Sequence, residues 1–299
     1  MAQPQSAIIP EANPFSLKCL LKIKANHAAV LEQLKTLPAL ASELNDSQGA
    51  ALYTAIAFTH SFWKKTNQAM PEELVPFVQL GKGDVIAPAT EADVLIHIHS
   101  LRHDLHFYLL RKLMMEIAED VEIIDETYGY RYLDSRDMTD FVDGTENPEG
   151  DERRNVAIIP EGEFAGGSYV MTQRYVHNLP AWNRLNVSAQ EKVIGRTKPD
   201  SIELDNVPAQ SHVGRVDIKE NGVGLKMVRH SLPYGSVSGD HGLLFLAYCN
   251  RIHNFKAQLE SMFGETDGKT DQLLRFTTAV TGAYLFAPSE EMLAELALA

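Results

Sequence analysis

Val94-Leu95-Ile96-His97-Ile98, followed by His103-Asp104-Leu105 and Leu109, is echoed about 150 residues later. The second copy is Leu244-Phe245-Leu246-Ala247-Tyr248, followed by His253-Asn254-Phe255 and Leu259. Each is an apolar run of strand length that leads into apolar residues at helical spacing. The surroundings repeat as well. Residues 15–24 alternate as a strand, 28–40 have helical periodicity, 50–58 are again strand-like, and 121–132 follow the 94–118 strand–helix unit as another strand. In the second half, 168–176, 225–232, 242–249 and 283–286 read as strands, and 188–195 and 252–263 as helices. The order is β-α-β-β-α-β written twice, the ferredoxin-like arrangement. The expected fold class is therefore α+β: duplicated ferredoxin-like units with antiparallel sheets and peripheral helices. The stretch 133–166, rich in charge, Gly and Pro, is the natural connection, giving an N-terminal unit at 1–138 and a C-terminal unit at 139–299. The charged run 149–154 is expected to be a solvated face and 289–299 a short helix.

Composition narrows the function. The 299 residues carry a formal charge of -13 and are 44% hydrophobic, enough for a sizeable core. So acidic a chain has little with which to neutralise phosphates, so no nucleic-acid partner is expected. No apolar run reaches the eighteen residues or so of a spanning helix, and the start, MAQPQSAIIPEANPF, lacks the basic-then-apolar pattern of a secretory signal. Cys19 and Cys249 lie in apolar strand-like runs and read as buried free thiols of a reducing compartment. A cytoplasmic protein without a membrane partner is expected.

Chemistry concentrates in Asp140-Phe141-Val142-Asp143-Gly144-Thr145-Glu146-Asn147-Pro148. Asp143 follows an apolar pair where the chain bends, so its carboxylate is held against an apolar wall, a setting suited to proton transfer. Alone, the segment also reads as an ordinary Asp-Gly turn. Two further stretches matter: Ser211-His212-Val213-Gly214-Arg215-Val216-Asp217, and Val228-Arg229-His230-Ser231-Leu232-Pro233-Tyr234-Gly235. By themselves they show a lone histidine and an arginine within an apolar strand.

Together these three stretches resemble the haem-site motifs of the dye-decolourising peroxidases, in particular the compact bacterial branch, and the resemblance runs from about Pro14 to Pro288. The family's acidic motif is Gly-x-x-Asp-Gly, and Asp140 stands here in place of its first glycine. Asp is tolerated there if the backbone is left-handed. The resemblance implies one non-covalent haem b per chain between the sheets of the second half. No Cys-x-x-Cys-His is present for covalent attachment. It implies His212 as the axial iron ligand, for which Asp271 is the expected acceptor of the second ring nitrogen, a backbone carbonyl being the alternative. Arg229 is implied to lie beside Asp143, stabilising charge on the leaving oxygen of peroxide and holding Asp143 ionised at low pKa. Ser231 replaces an Asn common in relatives. Phe245 and Leu243 are implied to wall the pocket, and Arg196, in Gly195-Arg196-Thr197, to face a haem propionate. Tyr234 and Tyr128, the latter alternating with Tyr130 and Tyr132, are possible electron relays to bulky reductants, ordinary packing being the other reading. The partners implied are hydrogen peroxide and aromatic reductants, and a homo-oligomer, dimer favoured, is expected.

Two rival readings stand. One is a haem-handling protein that binds porphyrin or releases iron, with incidental peroxidase activity. The other is a zinc enzyme using His97, His99, His103 and His106, because a His-x-His pair in a strand puts both rings on one face.

Overall fold

The computed structural model describes residues 2–299. Fourteen strands are found among them: β1 (Phe15–Ile23), β2 (Tyr53–Thr59), β3 (Leu80–Lys82), β4 (Val85–Ala87), β5 (Val94–Ser100), β6 (Val121–Tyr130), β7 (Ser168–His177), β8 (Lys219–Glu220), β9 (Val223–Gly224), β10 (Val228–Arg229), β11 (Leu232–Gly235), β12 (His241–Cys249), β13 (Thr277–Ala279) and β14 (Ala283–Ala287). In the first half the hydrogen-bonded order is β6-β1-β5-β2. In the second it is β14-β7-β12, with β10 and β11 in line on the far side of β12. Each half has the strand order of a ferredoxin-like unit, as the repeat implies.

The halves join at two antiparallel seams. β2 pairs with β14 through Phe58 and Phe286, and β6 meets β11 through Gly129 and Tyr234. The ring β1-β5-β2-β14-β7-β12-β11-β6 is thus closed, and closure removes exposed sheet edges. A Cβ on Gly129 would sit 3.0 Å from Leu232 Cβ, so glycine there permits the close approach at the thin second seam. Strand alternation divides the side chains between the inside and outside of this barrel. Leu20, Ala55, Leu95, Val170, Leu246, Tyr248 and Leu285 point in, where Ala7 and Ile8 of the N-terminal segment join them. Leu17, Cys19, Ile96, Ile98, Met171 and Phe286 point out, against the helices.

Several expectations shift. The helical stretch 28–40 is two helices, His27–Leu34 and Leu37–Gln48. Pro38 sits in the first turn of the second, the position where a missing N–H is tolerated. The strand expected at 225–232 runs in one register with β12 but is split into β10 and β11. The split falls where Leu246 N–H donates to Ser231 Oγ (3.3 Å) rather than to the main chain. The charged run 149–154 is not wholly solvated. It belongs to the helix Asp151–Ala157, where Arg153 is buried and donates to the carbonyls of Ile9, Pro10 and Pro148. Cys19 and Cys249 are buried free thiols, as expected. No helix among the described residues is long and apolar enough to cross a membrane.

Candidate active site

The outward faces of β7 and β12 do not meet a packed layer everywhere. Met171, Gln173, Tyr175 and His177 from β7, with Leu243 and Phe245 from β12, form one wall of a cavity. Ile194, Met227, Leu259, Met262 and Leu274 supply further apolar lining, and Asp143, His212, Arg229 and Ser231 reach the same space. Mostly apolar walls with a few convergent polar groups are the usual composition of a cofactor or ligand site.

His212 opens a short helix, His212–Val216, whose N-terminus is capped by Ser211 Oγ accepting from Gly214 N–H (3.1 Å). Gly214 is required, since a Cβ there would lie 2.4 Å from Pro208 O. Three residues after His212, Arg215 is buried and anchors the helix, donating to Ser261 O and pairing with Asp267. The imidazole is oriented by Asp271, whose Oδ2 accepts from His212 Nδ1 at 2.6 Å. Asp271 is wholly buried and its Oδ1 accepts from Leu273 N–H (2.8 Å). The other ring nitrogen, Nε2, has no protein partner among the described residues, and the ring borders the cavity. A histidine held by a carboxylate at one nitrogen and free at the other has the orientation that a metal ligand needs.

Asp143 and Arg229 come from the loop after β6 and from β10. Asp140, four positions into the 137–140 turn, has φ +67°, the left-handed backbone that its replacement of glycine requires. Phe141 packs edge-on against Trp182 and fixes the bend, while Asp143 N–H donates to Ser135 O (3.0 Å). The expectation that Arg229 holds Asp143 below the usual carboxylate range is corrected. Burial pushes the Asp143 carboxyl up, and the opposing charge of Arg229 only partly offsets it. The Arg229 guanidinium makes no ion pair or hydrogen bond among the described residues, so it remains available to the cavity.

Three features escaped the sequence reading. Asn147 clamps the Arg229 peptide from both sides, Oδ1 accepting from Arg229 N–H (2.8 Å) and Nδ2 donating to Arg229 O (2.9 Å). His177 borders the cavity with Nε2 3.0 Å from Asp137 Oδ1 and Nδ1 2.7 Å from Thr277 Oγ1. Although burial pushes the Asp137 carboxyl up, His177 and the Thr139 hydrogen bonds pull it down to about 2. Gln173 Nε2 is buried on the cavity wall with no hydrogen-bond partner among the described residues, while its Oε1 accepts from Tyr175. Only the Asn-Pro after Asp143 hinted at any of these.

Phe245, Leu243 and Ser231 line the cavity as expected. Arg196 does not: its guanidinium is engaged by Glu146 (2.5 Å) and Ser201 O (2.8 Å) outside the lining. Neither Tyr128 nor Tyr234 borders the cavity. Tyr128 packs outside the barrel beside His103, its ring centroid 5.0 Å away. Tyr234 points into the barrel, where Arg174 donates to its hydroxyl (3.1 Å) and pairs with Asp125. The zinc reading is corrected: His97 and His99 face the barrel interior, whereas His106 bonds Ser100 Oγ outside it, and no group of three or more His, Cys, Asp or Glu among the described residues is placed to hold a metal ion. A sheet therefore separates residues that the sequence places within one turn of each other.

The cavity residues fit a haem. The free Nε2 of a carboxylate-held histidine, the Arg229 guanidinium, Gln173 Nε2 and the apolar walls are donors and surfaces that suit such a cofactor.

Comparison with known proteins agrees with this reading. The families described as "Dyp-type peroxidase, N-terminal" and "Dyp-type peroxidase, C-terminal" match residues 5–131 and 134–292. A dye-decolorizing peroxidase of Mycobacterium tuberculosis is 42% identical over 230 residues, covering 75% of this chain and 69% of its own. Among solved structures, the dye-decolorizing protein from V. cholerae is 67% identical with a TM-score of 0.97, covering 98% of this chain and 100% of its own. A DypB variant from Rhodococcus jostii RHA1, in complex with heme, is 34% identical with a TM-score of 0.92 over 97% of each chain.

Proposed function

The chain belongs to the Dyp-type peroxidase family and is a haem-dependent peroxidase, and from that premise we propose that Asp143 and Arg229 divide the peroxide chemistry between them while His212 holds the iron. When bound, haem supplies a metal centre that accepts two oxidising equivalents from peroxide and is returned by aromatic or dye substrates in two one-electron steps. Asp143 takes the proton from the attacking peroxide oxygen and delivers it to the leaving oxygen. Arg229 stabilises the negative charge that develops there, and its lack of a protein partner leaves it free to do so. Asp271 keeps the His212 ring oriented and its Nε2 available.

The observation that carries the proposal is the convergence of Asp143, His212, Arg229 and Ser231, from three separate segments, on one apolar cavity. Phe245 and Ser231 shape the wall. Arg196 reaches an acidic edge of the cofactor only by exchanging its partner Glu146. Tyr234 is proposed as the electron relay to bulky reductants, since it lies next to the exposed 236–240 hairpin and is hydrogen-bonded by Arg174. Tyr128 is the second choice. The division into 1–138 and 139–299 is proposed on the two topological halves and the two family matches. A cytoplasmic homo-oligomer, dimer favoured, completes the reading, with exposed Phe107 and Met115 on the helix His103–Ile117 in its support. The deciding experiment is the absorption spectrum of the haem-loaded protein before and after one equivalent of peroxide. A Soret band that changes with peroxide and is restored by an aromatic reductant is expected, whereas porphyrin binding without that cycle would favour haem handling.

A further inference from the structure

The barrel interior holds polar groups for which the peroxide chemistry has no use. His97, His99 and His230 form a triangle of rings with centroids 5.2–5.4 Å apart, all buried. Tyr248 stands beside them, its ring centroid 5.5 Å from that of His230. Its hydroxyl lies 2.9 Å from His97 Nδ1, its one partner among the described residues. Tyr248 and His97 are each 1% exposed. His97 Nε2 and His230 Nδ1 are buried with no hydrogen-bond partner among the described residues. Buried polar atoms left unpaired are uncommon and call for a reason, a redox role among them.

Position supplies that reason. Tyr248 is on β12, three residues beyond Phe245, which walls the cavity. Its backbone pairs with Val228, and the next pair in the ladder is Ala247 with Arg229. The phenol is therefore one strand's thickness from the cofactor site, on the buried face inside the barrel. We propose that Tyr248 and His97 form a sealed proton-coupled electron donor, which takes up an oxidising equivalent inside the barrel when no aromatic reductant is available.

The step balances within the known activity. One electron leaves the Tyr248 phenol for the peroxide-oxidised cofactor, which is reduced by one electron. The phenolic O–H bond breaks and its proton forms a new N–H bond at His97 Nδ1. An external reductant later returns the electron and the proton goes back to the Tyr248 oxygen. Burial, then the neighbouring His99, His230 and Lys18, keep His97 neutral and so able to accept. The imidazolium formed would be buried, facing those groups without a carboxylate partner. That makes the return of the proton favourable and the storage temporary. Tyr248 cannot lose its proton to solvent by ordinary titration, because burial pushes its phenol up.

The test is electron paramagnetic resonance of the haem-loaded protein, frozen after one equivalent of hydrogen peroxide without reductant, with ring-deuterated tyrosine to identify tyrosyl signals. A tyrosyl component should persist in the Tyr128→Phe/Tyr234→Phe double variant and disappear when Tyr248→Phe is added to it. His97→Gln keeps the volume but not the base, and should lower that component about fivefold, the factor one typical net hydrogen bond is worth. Its Soret band should match wild type. An undiminished tyrosyl signal in Tyr248→Phe overturns the proposal. Should Tyr248→Phe fail to hold haem, His97→Gln decides, and an unchanged signal there overturns it equally. If peroxide leaves the wild-type haem absorption unaltered, the peroxidase reading itself fails; if the absorption responds without a Tyr248-dependent signal, only this inference does.

Discussion

The two halves of the molecule share one topology and differ in what covers the outer face of their sheets. In the first half, Ile96 and Ile98 of β5 face a layer closed by Leu105, Leu109 and Leu113 of the long helix His103–Ile117. In the second, Leu243 and Phe245 of the corresponding β12 face open space, with Leu259 and Met262 of Ile252–Met262 across it. The connections explain the difference. Between β1 and β2 the chain forms two packed helices. Between β7 and β10 it forms short helices and loops, and these bring His212 to the cavity instead of filling it. The repeat thus sets the scaffold, and the site arises where one copy leaves its apolar face uncovered.

This comparison can be broken by substitution. The largest effect should follow loss of the ligand: His212→Ala in the second half should abolish haem retention, while His97→Ala in the first leaves the Soret band in place. Absorption after gel filtration reads both, and haem loss from the His97 variant would move the ligand to the wrong half. Next, Asp143→Asn should slow the peroxide step by roughly two to four decades, the usual worth of a positioned acid–base group. Arg229→Leu should cost roughly two to three decades, as loss of one charge-stabilising donor does. Asn147→Ala leaves the Arg229 side chain in place but frees its peptide. Two hydrogen bonds of about 1 kcal/mol each, only partly transmitted to the guanidinium, predict roughly a tenfold slowing. An unaltered rate would show that β12 alone positions Arg229. The smallest effect is expected at Tyr234→Phe, which should slow a bulky dye more than a small phenol. Equal slowing would remove Tyr234 as the relay.

The sequence displays the scaffold because strands and helices announce themselves by local period, and most boundaries fall within a residue or two: 168–176 is Ser168–His177 and 252–263 is Ile252–Met262. Asp143, His212 and Arg229 stand out only through the motifs that resemble the peroxidase family, and Asp271 was a candidate acceptor that the His212 hydrogen bond now places beside the ring. Barrel closure was not legible, since the β2–β14 and β6–β11 seams join residues that no local pattern relates. For the same reason the Asp137–His177–Thr277 chain, with partners 40 and 100 residues apart, stayed hidden. The direction of the Asp143 pKa shift was misjudged because a sequence displays the neighbouring arginine but not the depth of burial that opposes it.

That last point sets the most direct test, the pH dependence of the peroxide step by stopped flow. Asp143 works as the carboxylate, and burial raises its pKa. Activity should therefore fall, as pH drops, at a point above the ordinary Asp value of about 3.9. Removing the Arg229 charge takes away the influence that lowers the pKa, so in Arg229→Leu the slower reaction should lose its rate at still higher pH. In Asp143→Asn that acid limb should vanish. Wild type and Arg229→Leu sharing one acid limb, or Asp143→Asn retaining it, would contradict the assignment of Asp143 as the base beside Arg229.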